Sequence, residues 1–549
     1  MEENLDEAGV RELENSLHTK IYPGTEIMKD VGSHHFVKSG HSKVLIPQPS
    51  DDPHDPLNWS PMWKTITLTC ATVLSFSLNL GPLALAPMFE EYIKEWDRSL
   101  ADVVQFTGVA ILVLGFSNFI WVPMSVCFGR RPVMILSSFI CAISSIWRAR
   151  ATSYESFMGA SVLNGIAAGP CETLMPQIIT DTTFLHDRGK YNTLYFSMYF
   201  GALMVGPIIS GAMAFNTGWR SFWWFNTALL LFCFLLNLLL FPETRYRRHR
   251  SINSSTISEG GGTKKSDEKI TSASHDEGRV AENGETRAAT QMHQDPWIGR
   301  GKPSKAQFNL FQHYEGNLLR ELWVPWYLHA FPIVELAAFI VSFSASGYLV
   351  VNLSQTQAFA APPYNYSSQT IGLFNLAVFI GGLIGLFTNG PWSDWVAAYL
   401  TKRNNGVREP EMRLLAMVPY IAIMVIGSVV VGVGYDYHWP WPVIVVVGYG
   451  CLGIQVSALP SIASTYAVDS YKPATGSLFV AITVNKNVWG YGVSKFLTPW
   501  AEESGFRPPI LVNMALITAF CCCAIIFWFF GKRLRGITKN SYVHRLEED

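Results

Sequence analysis

The sequence predicts an all-α membrane protein whose chain crosses a bilayer twelve times, and three observations lead to that prediction. First, 49% of the 549 residues are hydrophobic and only 15% are charged, against about 25% charged residues in soluble proteins. Second, the apolar residues are gathered into twelve stretches, each near the ~20 residues that a spanning helix needs. Third, the Lys and Arg residues that border these stretches lie mostly on one side of the predicted membrane.

The predicted spans are separated by short polar turns, with one long exception. We place the spans at residues 64–88, 103–124, 132–150, 156–181, 191–214, 221–241, 325–351, 370–392, 413–434, 441–468, 475–499 and 508–531. The exception follows Pro242 in the run PETRYRRHR and is too polar to bury a core, so we expect a largely disordered central loop. It divides the spans into two bundles of six. The expected regions are an N-terminal tail (1–60), a first bundle (61–242), the central loop (243–324), a second bundle (325–531) and a C-terminal tail (532–549).

The basic residues predict the orientation. With both termini in the cytoplasm, sixteen Lys and Arg near the spans face the cytoplasm and six face the other side, which agrees with the positive-inside rule. The sixteen are Arg130, Arg131, Arg188, Lys190, Arg245, Arg247, Arg248, Arg250, Lys402, Arg403, Arg408, Arg413, Lys472, Lys532, Arg533 and Arg535; the six are Lys94, Arg98, Arg148, Arg150, Arg220 and Arg507. Two sequons, at Asn352 and Asn365, then fall in the outer loop after span seven and are predicted glycosylation sites.

Several function classes find no support in the sequence. The nine cysteines lie almost wholly in apolar runs and make no metal-binding spacing, so we expect small core residues and no metal or other cofactor. No Gly-x-x-x-x-Gly-Lys-Ser/Thr loop is present, so ATP hydrolysis is not the predicted power source. Basic residues do not cluster with aromatic ones in a soluble segment, so nucleic acid is not an expected partner. The sequence shows no pairing of a nucleophile with a general base, so we do not expect an enzyme.

Three ionisable side chains fall near the predicted midplane of the apolar stretches. Glu172 lies nine residues from the end of span four, roughly 13 Å along a helix, which is near the midplane of a ~30 Å core. Glu335 lies nine residues into predicted span seven, and Lys486 about eleven residues into span eleven. Charged residues are expensive in a bilayer and usually functional, so these three are candidate proton and substrate sites. The alternative for each is a structural ion pair, and Lys486 could simply neutralise one of the acids.

Neighbouring polar and aromatic residues extend the candidate site. Asn485 and Trp489 lie beside Lys486 in span eleven, and Gln177 lies one turn beyond Glu172. In span five, tyrosines at positions 191, 195 and 199 share one helical face. Such a stripe is more often packing than ligand contact, and Tyr199 is the deepest and the strongest candidate of the three.

Two predicted loops at equivalent places in the halves carry related motifs. VPMSVCFGRRPV follows span two and NGPWSDWVAAYLTKR follows span eight. Both resemble partial copies of the G-x-x-x-D-R-x-G-R-R signature of the major facilitator superfamily. The first copy keeps Gly129, Arg130 and Arg131, and the second keeps Gly390 and Asp394. Charged turns of this kind can latch two bundles together; the alternative is that the arginines only supply positive-inside charge.

Further motifs resemble one group within that superfamily, the twelve-span fungal drug:proton antiporters. DPHDPLNWS before span one, HDRGKYNT after span four and FPET after span six are similar to stretches at the same places in that group. In span five, GALMVGPIISGA resembles the antiporter signature G-P-x-x-G-G through Gly206, Pro207 and Gly211. A plain packing role for these glycines is an equal alternative. Asp181 with Arg188 is expected to form a cytoplasmic pair that is structural or gating.

The resemblance implies a fold and a function. It implies two six-helix bundles in which spans one, four, seven and ten line a cavity that span eleven flanks. It also implies a proton-coupled exporter of a small organic molecule such as a drug or secondary metabolite, working as a monomer in the plasma membrane, with the vacuolar membrane as another location. Two midplane acids suit an importer of an organic cation such as a polyamine equally well. A non-transporting sensor that keeps the scaffold is a further alternative.

Overall fold

The computed structural model describes residues 20, 22, 24–27, 49–246, 297–311, 314, 317–471, 474–539 and 541, without the side chains of residues 185–190 and 193. Most of the N-terminal tail, the middle of the predicted central loop and the last eight residues therefore lie outside the described residues, and the structure does not test the expected disorder there. The described part is almost entirely α-helical, which confirms the predicted fold class.

Twelve long helical segments follow the twelve predicted spans in order. They are α1 (Pro61–Leu83), α2 (Leu100–Phe128), α3 (Arg130–Arg150), α4 (Tyr154–Ala168 and Pro170–Thr182), α5 (Leu185–Thr217), α6 (Trp219–Leu240), α7 (Pro332–Phe359), α8 (Ser368–Arg403), α9 (Val418–Asp436), α10 (a π-helical stretch Val443–Tyr449 and Gly450–Ser470), α11 (Thr475–Ser504) and α12 (Arg507–Thr538). Shorter helices cover Ala86–Met88, Phe89–Trp96, Lys305–Phe308, Leu318–Leu328 and Pro410–Met417.

Ten of the described helices are long and apolar enough to cross a membrane. The two remaining segments are α4, which is broken at Gly169, and α11, whose centre carries Lys486 between two asparagines. These are the same two helices that hold Glu172 and Lys486. The break divides α4 into pieces of 15 and 13 residues, each too short to span alone, whereas α11 has 30 residues but carries polar side chains at its centre.

The helices form two groups, α1–α6 and α7–α12, that meet mainly along two contacts, α5 with α8 and α2 with α11. Each group has a hydrophobic core of its own. A third core is shared by both groups and contains the ends of α1 and α7 together with the starts of α2 and α8. We call the end of the molecule that holds this shared core the opposite face.

The other end, here the terminal face, carries the described parts of the tails and of the central loop. Strand β1 (Glu26–Ile27) pairs antiparallel with β2 (Val407–Arg408), and the N–H of Ser60 donates to the carbonyl of Gly301. The helix Leu318–Leu328 also lies here, with Trp323 and Trp326 exposed. Helical structure thus resumes at Leu318, within the stretch predicted as the central loop (243–324).

Predicted span seven needs two corrections. The apolar run from residue 325 is not one helix, because Pro332 begins a new one and α7 continues to Phe359. The prediction that Asn352 lies in an outer loop is wrong: it lies inside α7 and is fully buried, whereas Asn365 is exposed in the loop before α8. Asn352 and Gln355 ended the predicted span because they are polar, but both face protein rather than lipid.

Candidate functional site

A cavity of about 160 Å³ lies between the two bundles. Side chains of α1, α2, α4, α5, α7, α10 and α11 line it, so it draws on both halves of the chain. Aromatic rings cover much of its first-bundle wall, namely Tyr195, Phe196, Tyr199 and Phe200 of α5. The family resemblance implied that spans one, four, seven and ten line the cavity and that span eleven flanks it. Helices α2 and α5 also line it in the structure.

The break in α4 places Glu172 in this cavity. Pro170 has no N–H, so it cannot donate to the carbonyl of Ile166, four residues earlier. The indole N–H of Trp121 in α2 donates to that carbonyl instead, at 2.6 Å. The second piece of α4 begins at Pro170 and has Glu172 in its first turn, where the helix dipole stabilises a negative charge. The broken helix thus presents a carboxylate near the middle of the bundle.

Glu172 is held by three residues from two helices. The Nζ of Lys486 lies 2.5 Å from Oε1, and the hydroxyl of Tyr199 donates to the same oxygen at 2.7 Å. The side-chain amide of Asn487 donates to Oε2 at 3.3 Å. Lys486 also donates to the Tyr199 oxygen at 3.2 Å. All four side chains line the cavity.

This cluster joins the two bundles by an ion pair. Glu172 belongs to the first bundle and Lys486 to the second, and their side chains are only 8% and 17% exposed. Removing two charges from water is costly, and their attraction repays that cost only while they remain together. Separating the bundles at this point therefore requires that another group, such as a proton or a cation, take over the interaction with Glu172.

The structure puts Glu335 in a different place from the prediction. Because α7 begins at Pro332, Glu335 lies in its first turn rather than nine residues deep. It contacts Nδ1 of His329 at 2.5 Å and accepts from the amide of Asn485 at 3.3 Å. It is not among the described residues that line the cavity. The consecutive residues 485–487 of α11 nevertheless reach both acids, Glu335 from position 485 and Glu172 from positions 486 and 487.

Two other candidates lie away from the cavity. Gln177 accepts a hydrogen bond from Ser125 at 3.3 Å and lies against Gly476, at a contact between the bundles. Trp489 packs against Phe343 in the core of the second bundle, with the ring centroids 4.7 Å apart. In contrast, Asn487 and the α10 serines at the cavity were not predicted as site residues. Hydrophobic periodicity gives no signal for them, because a polar residue on an inward face resembles any other buried polar residue.

The first motif copy fixes the start of α3. Gly129 has φ +107°, which favours glycine, and an added Cβ would lie 2.2 Å from Oε2 of Glu243. The Glu243 carboxylate accepts from the N–H groups of Arg130 at 2.9 Å and Arg131 at 3.0 Å, so it caps the helix. Arg130 also lies 3.1 Å from Asp181 at the end of α4. The arginines therefore take part in specific contacts besides carrying positive charge.

Arg131 reaches a different helix end. Its guanidinium donates to the carbonyls of Leu238 at 2.7 Å and Asn237 at 3.2 Å, near the end of α6. It also donates to the carbonyl of Phe241. Cations at a helix C-terminus satisfy carbonyls that have no partner within the helix. The motif thus ties α2, α3, α4 and α6 together at the terminal face.

The second bundle repeats part of this arrangement. Arg413 lies 3.0 Å from Asp394 of α8 and 2.8 Å from Asp469 at the end of α10. Asp469 therefore occupies the place that Asp181 has in the first bundle. An added Cβ at Gly390 would meet nothing within 4 Å, so packing does not require glycine there. The predicted partner of Asp181, Arg188, has a side chain outside the described ones.

The α5 signature lies where helices approach closely. An added Cβ at Gly206 would lie 2.6 Å from the carbonyl oxygen of Leu80 in α1. One at Gly211 would lie 2.5 Å from the carbonyl oxygen of Ser368 in α8. The carbonyl of Pro207 in turn lies against Gly372 of α8. These residues allow close backbone packing near the opposite face, which is the packing role considered for them.

Comparison with known proteins agrees with this arrangement. A family model described as "Major Facilitator Superfamily" matches residues 65–484. The chain belongs to the major facilitator superfamily. This facilitator protein is 25% identical to an "Uncharacterized MFS-type transporter" of Schizosaccharomyces pombe, over 93% of this chain and 91% of that one. It is 24% identical to "Protein HOL1" of Saccharomyces cerevisiae, over 92% of each chain.

Two further comparisons bear on fold and function. A "Probable efflux pump mfs2" of Aspergillus flavus is 25% identical, over 83% of this chain and 100% of that one. The solved structure of the proton:xylose symporter XylE, bound to 6-bromo-6-deoxy-D-glucose, matches with a TM-score of 0.55 at 12% identity, over 89% of this chain and 99% of that one. At that identity the match shows the fold alone. The facilitator chain is thus a multi-pass membrane protein of a transporter family, as the resemblance implied.

Proposed function

We propose that this facilitator protein is a proton-coupled antiporter that exports a small organic molecule bearing a cationic group. The observation that carries the proposal is the contact between Glu172 and Lys486 inside the cavity, at 2.5 Å and across the two bundles. Secondary transporters bind substrates and coupling ions near the bilayer midplane, where their repeats meet.

Competition for one carboxylate supplies the coupling. When Glu172 is ionised, Lys486 or a cationic substrate group neutralises it. When a proton binds Glu172, the attraction for either cation is lost, and Tyr199 and Asn487 remain as neutral partners. The proton and the substrate therefore exclude each other at the carboxylate. If the protein changes its access from one side of the membrane to the other only with a proton or a substrate bound, it exchanges protons for substrate, which is antiport.

The sidedness of the proposal rests on charge. Sixteen basic residues near the spans border the predicted cytoplasmic side and six the other, so we assign the terminal face to the cytoplasm. The shared core at the opposite face must then separate for release to the outside. The name of the Aspergillus relative, a "Probable efflux pump", favours the outward direction. Plasma membrane, a monomeric state and a glycan at Asn365 complete the proposal.

The test is a growth assay on cells that express the wild type or Glu172→Gln, across cationic toxins, polyamines and neutral drugs. Glu503→Gln is the matched control, because Glu503 is exposed at the end of α11. We expect wild type and control to protect against some cationic compounds and Glu172→Gln to fail while it still reaches the membrane. Equal behaviour of Glu172→Gln and wild type throughout would show that Glu172 is structural and would refute the proposal.

One observation favours a second candidate, import of an organic cation such as a polyamine. Glu335 is held by Asn485, next to the lysine that holds Glu172, so two acids lie near one turn of α11. A molecule with two amines could use both. In the same assay an importer sensitises cells to toxic cations or feeds them with polyamines, and both Glu172→Gln and Glu335→Gln abolish the effect. An exporter protects instead.

A further inference from the structure

The wall of the cavity that α10 forms has hydrogen-bonding groups without partners. Ser461 and Ser464 both line the cavity and are partly exposed to it. Among the described residues, neither hydroxyl has a hydrogen-bond partner. Most other hydroxyls of this helix behave differently: Ser457, Thr465 and Ser470 donate to carbonyls three or four residues earlier.

A backbone acceptor accompanies the two hydroxyls. Pro460 has no N–H and therefore leaves the carbonyl of Val456 without its usual donor within the helix. Val456 and Pro460 also line the cavity. Free carbonyls inside a membrane protein are tolerated where they face a cavity that can supply a partner. We call Val456, Ser461 and Ser464 the serine face of α10.

The serine face and Glu172 belong to opposite bundles. Glu172 is in α4 and the serine face is in α10, and both helices line the same cavity. Most other polar groups that line the cavity have partners within the protein; among the described residues, the hydroxyl of Thr483 in α11 is an exception. The hydroxyl oxygen of Ser346, for example, lies 2.6 Å from the side-chain oxygen of Asn513 and 2.6 Å from the carbonyl oxygen of Phe343, so both acceptors are within hydrogen-bond reach. On α10, a ligand can therefore engage the hydroxyls of Ser461 and Ser464 without breaking an existing hydrogen bond.

We infer that the serine face is a second recognition subsite, which binds a hydroxyl or amide group of the substrate whose cationic amine binds at Glu172. The inference rests on the proposed function and names its substrate class: amphipathic amines with a neutral hydrogen-bonding group at a distance from the nitrogen. The aromatic rings of α5 pack against the apolar part of such a molecule. A substrate that engages both bundles also couples its binding to their relative position.

The test measures binding by isothermal titration to the purified full chain in nanodiscs. The probes are n-alkylamines of increasing chain length and the matching ω-amino alcohols. We expect wild type to bind the amino alcohol more tightly than the alkylamine at one chain length. Ser461→Ala with Ser464→Ala removes that preference, at about 2- to 10-fold in affinity per hydroxyl, and leaves alkylamine binding unchanged. Ser457→Ala is the control, because that hydroxyl lines the cavity but donates to the carbonyl of Ile454 at 3.1 Å.

The outcomes separate this inference from the proposed function. If wild type shows no preference for the amino alcohol, or if the double variant keeps it, the serine face is not a subsite. Binding that still depends on Glu172 would then leave the proposed function intact. If Glu172→Gln abolishes the binding of neither the alkylamines nor the amino alcohols, the proposed function fails and this inference fails with it.

Discussion

The Nζ of Lys486 in α11 lies 2.5 Å from Oε1 of Glu172 in α4, although 314 residues separate them in the chain. This contact crosses from one bundle to the other within the cavity. Because each charge depends on the other for neutralisation, the proposed mechanism uses this pair to link substrate binding to the position of the bundles. In that mechanism, a group that neutralises Glu172 releases Lys486. Helices α4 and α11 can then separate without leaving two unpaired charges.

The first prediction concerns the stability of this pair. We expect Glu172→Gln to lower the free energy of unfolding by about 3 kcal/mol, because it leaves a mostly buried ammonium without its counter-charge. Adding Lys486→Met to Glu172→Gln removes that ammonium and should recover most of the stability. The measurement is the melting temperature of the purified variants in detergent at neutral pH.

A transport assay on the double variant distinguishes recovery of stability from recovery of function. The double variant should be stable but inactive, because neither proton nor cation can bind at position 172. A double variant that transports as well as wild type would contradict the role of Glu172. A double variant no more stable than Glu172→Gln would contradict the ion pair.

The second prediction concerns pH and a cluster at the terminal face. Arg535, fully buried, lies 2.6 Å from Oε2 of Glu409, and Lys532 lies 2.7 Å from Oε1. Burial raises the pKa of the Glu409 carboxyl, but Arg535 and Lys532 lower it by more, so it lies below its ordinary value of 4.5. A carboxyl with a depressed pKa stabilises the fold above its unfolded pKa, and the stabilisation is lost as pH falls through the folded value.

We therefore expect the melting temperature of wild type to fall as the pH drops below 4.5, and part of that fall to be missing in Glu409→Gln. At neutral pH Glu409→Gln should already melt lower, since Arg535 loses one of its two carboxylates. Exposed Glu503→Gln is the control and should follow wild type. Parallel pH curves for Glu409→Gln and wild type would refute the contribution.

The sequence predicted much of the fold because hydropathy records burial in lipid directly. A helical segment corresponds to each of the twelve predicted spans, and ten of the described helices are long and apolar enough to cross a membrane. Glu172 and Lys486 stood out because a charge in an apolar run is conspicuous. The same signal misplaced Glu335, since an apolar run does not show that Pro332 starts a new helix. It also ended span seven too early, since Asn352 is polar but faces protein.

The sequence did not predict which residues distant in the chain would contact each other. Spacing along a helix places Glu172 and Lys486 at similar depths, but which helices face each other depends on packing across the whole bundle. The resemblance to the facilitators supplied that arrangement only in outline, without the contacts of Asn487 or the serine face of α10. Such residues carry no periodicity signal, because their partners lie on other helices.

The third prediction concerns Gly211 and the closure of the opposite face. An added Cβ there would lie 2.5 Å from the carbonyl oxygen of Ser368, and backbone cannot move aside as a side chain can. We expect Gly211→Ala to push α5 and α8 apart and to raise amide hydrogen exchange around residues 368–378. Gly201→Ala is the matched control in the same helix, because its nearest contact would be a side-chain atom of Phe379 at 3.4 Å. Equal exchange in the two variants would refute a closing role for Gly211.

The last prediction concerns sidedness, on which the direction of transport depends. Ala361 is exposed in the loop between α7 and α8 at the opposite face, and Lys402 is exposed near the end of α8 at the terminal face. If basic residues set the orientation, a membrane-impermeant maleimide should label Ala361→Cys in intact cells and Lys402→Cys only after permeabilisation. The unsubstituted chain gives the background of its nine cysteines. The reverse pattern would place the terminal face outside. Competition at Glu172 would then still give antiport, but the proton and the substrate would each cross in the opposite direction.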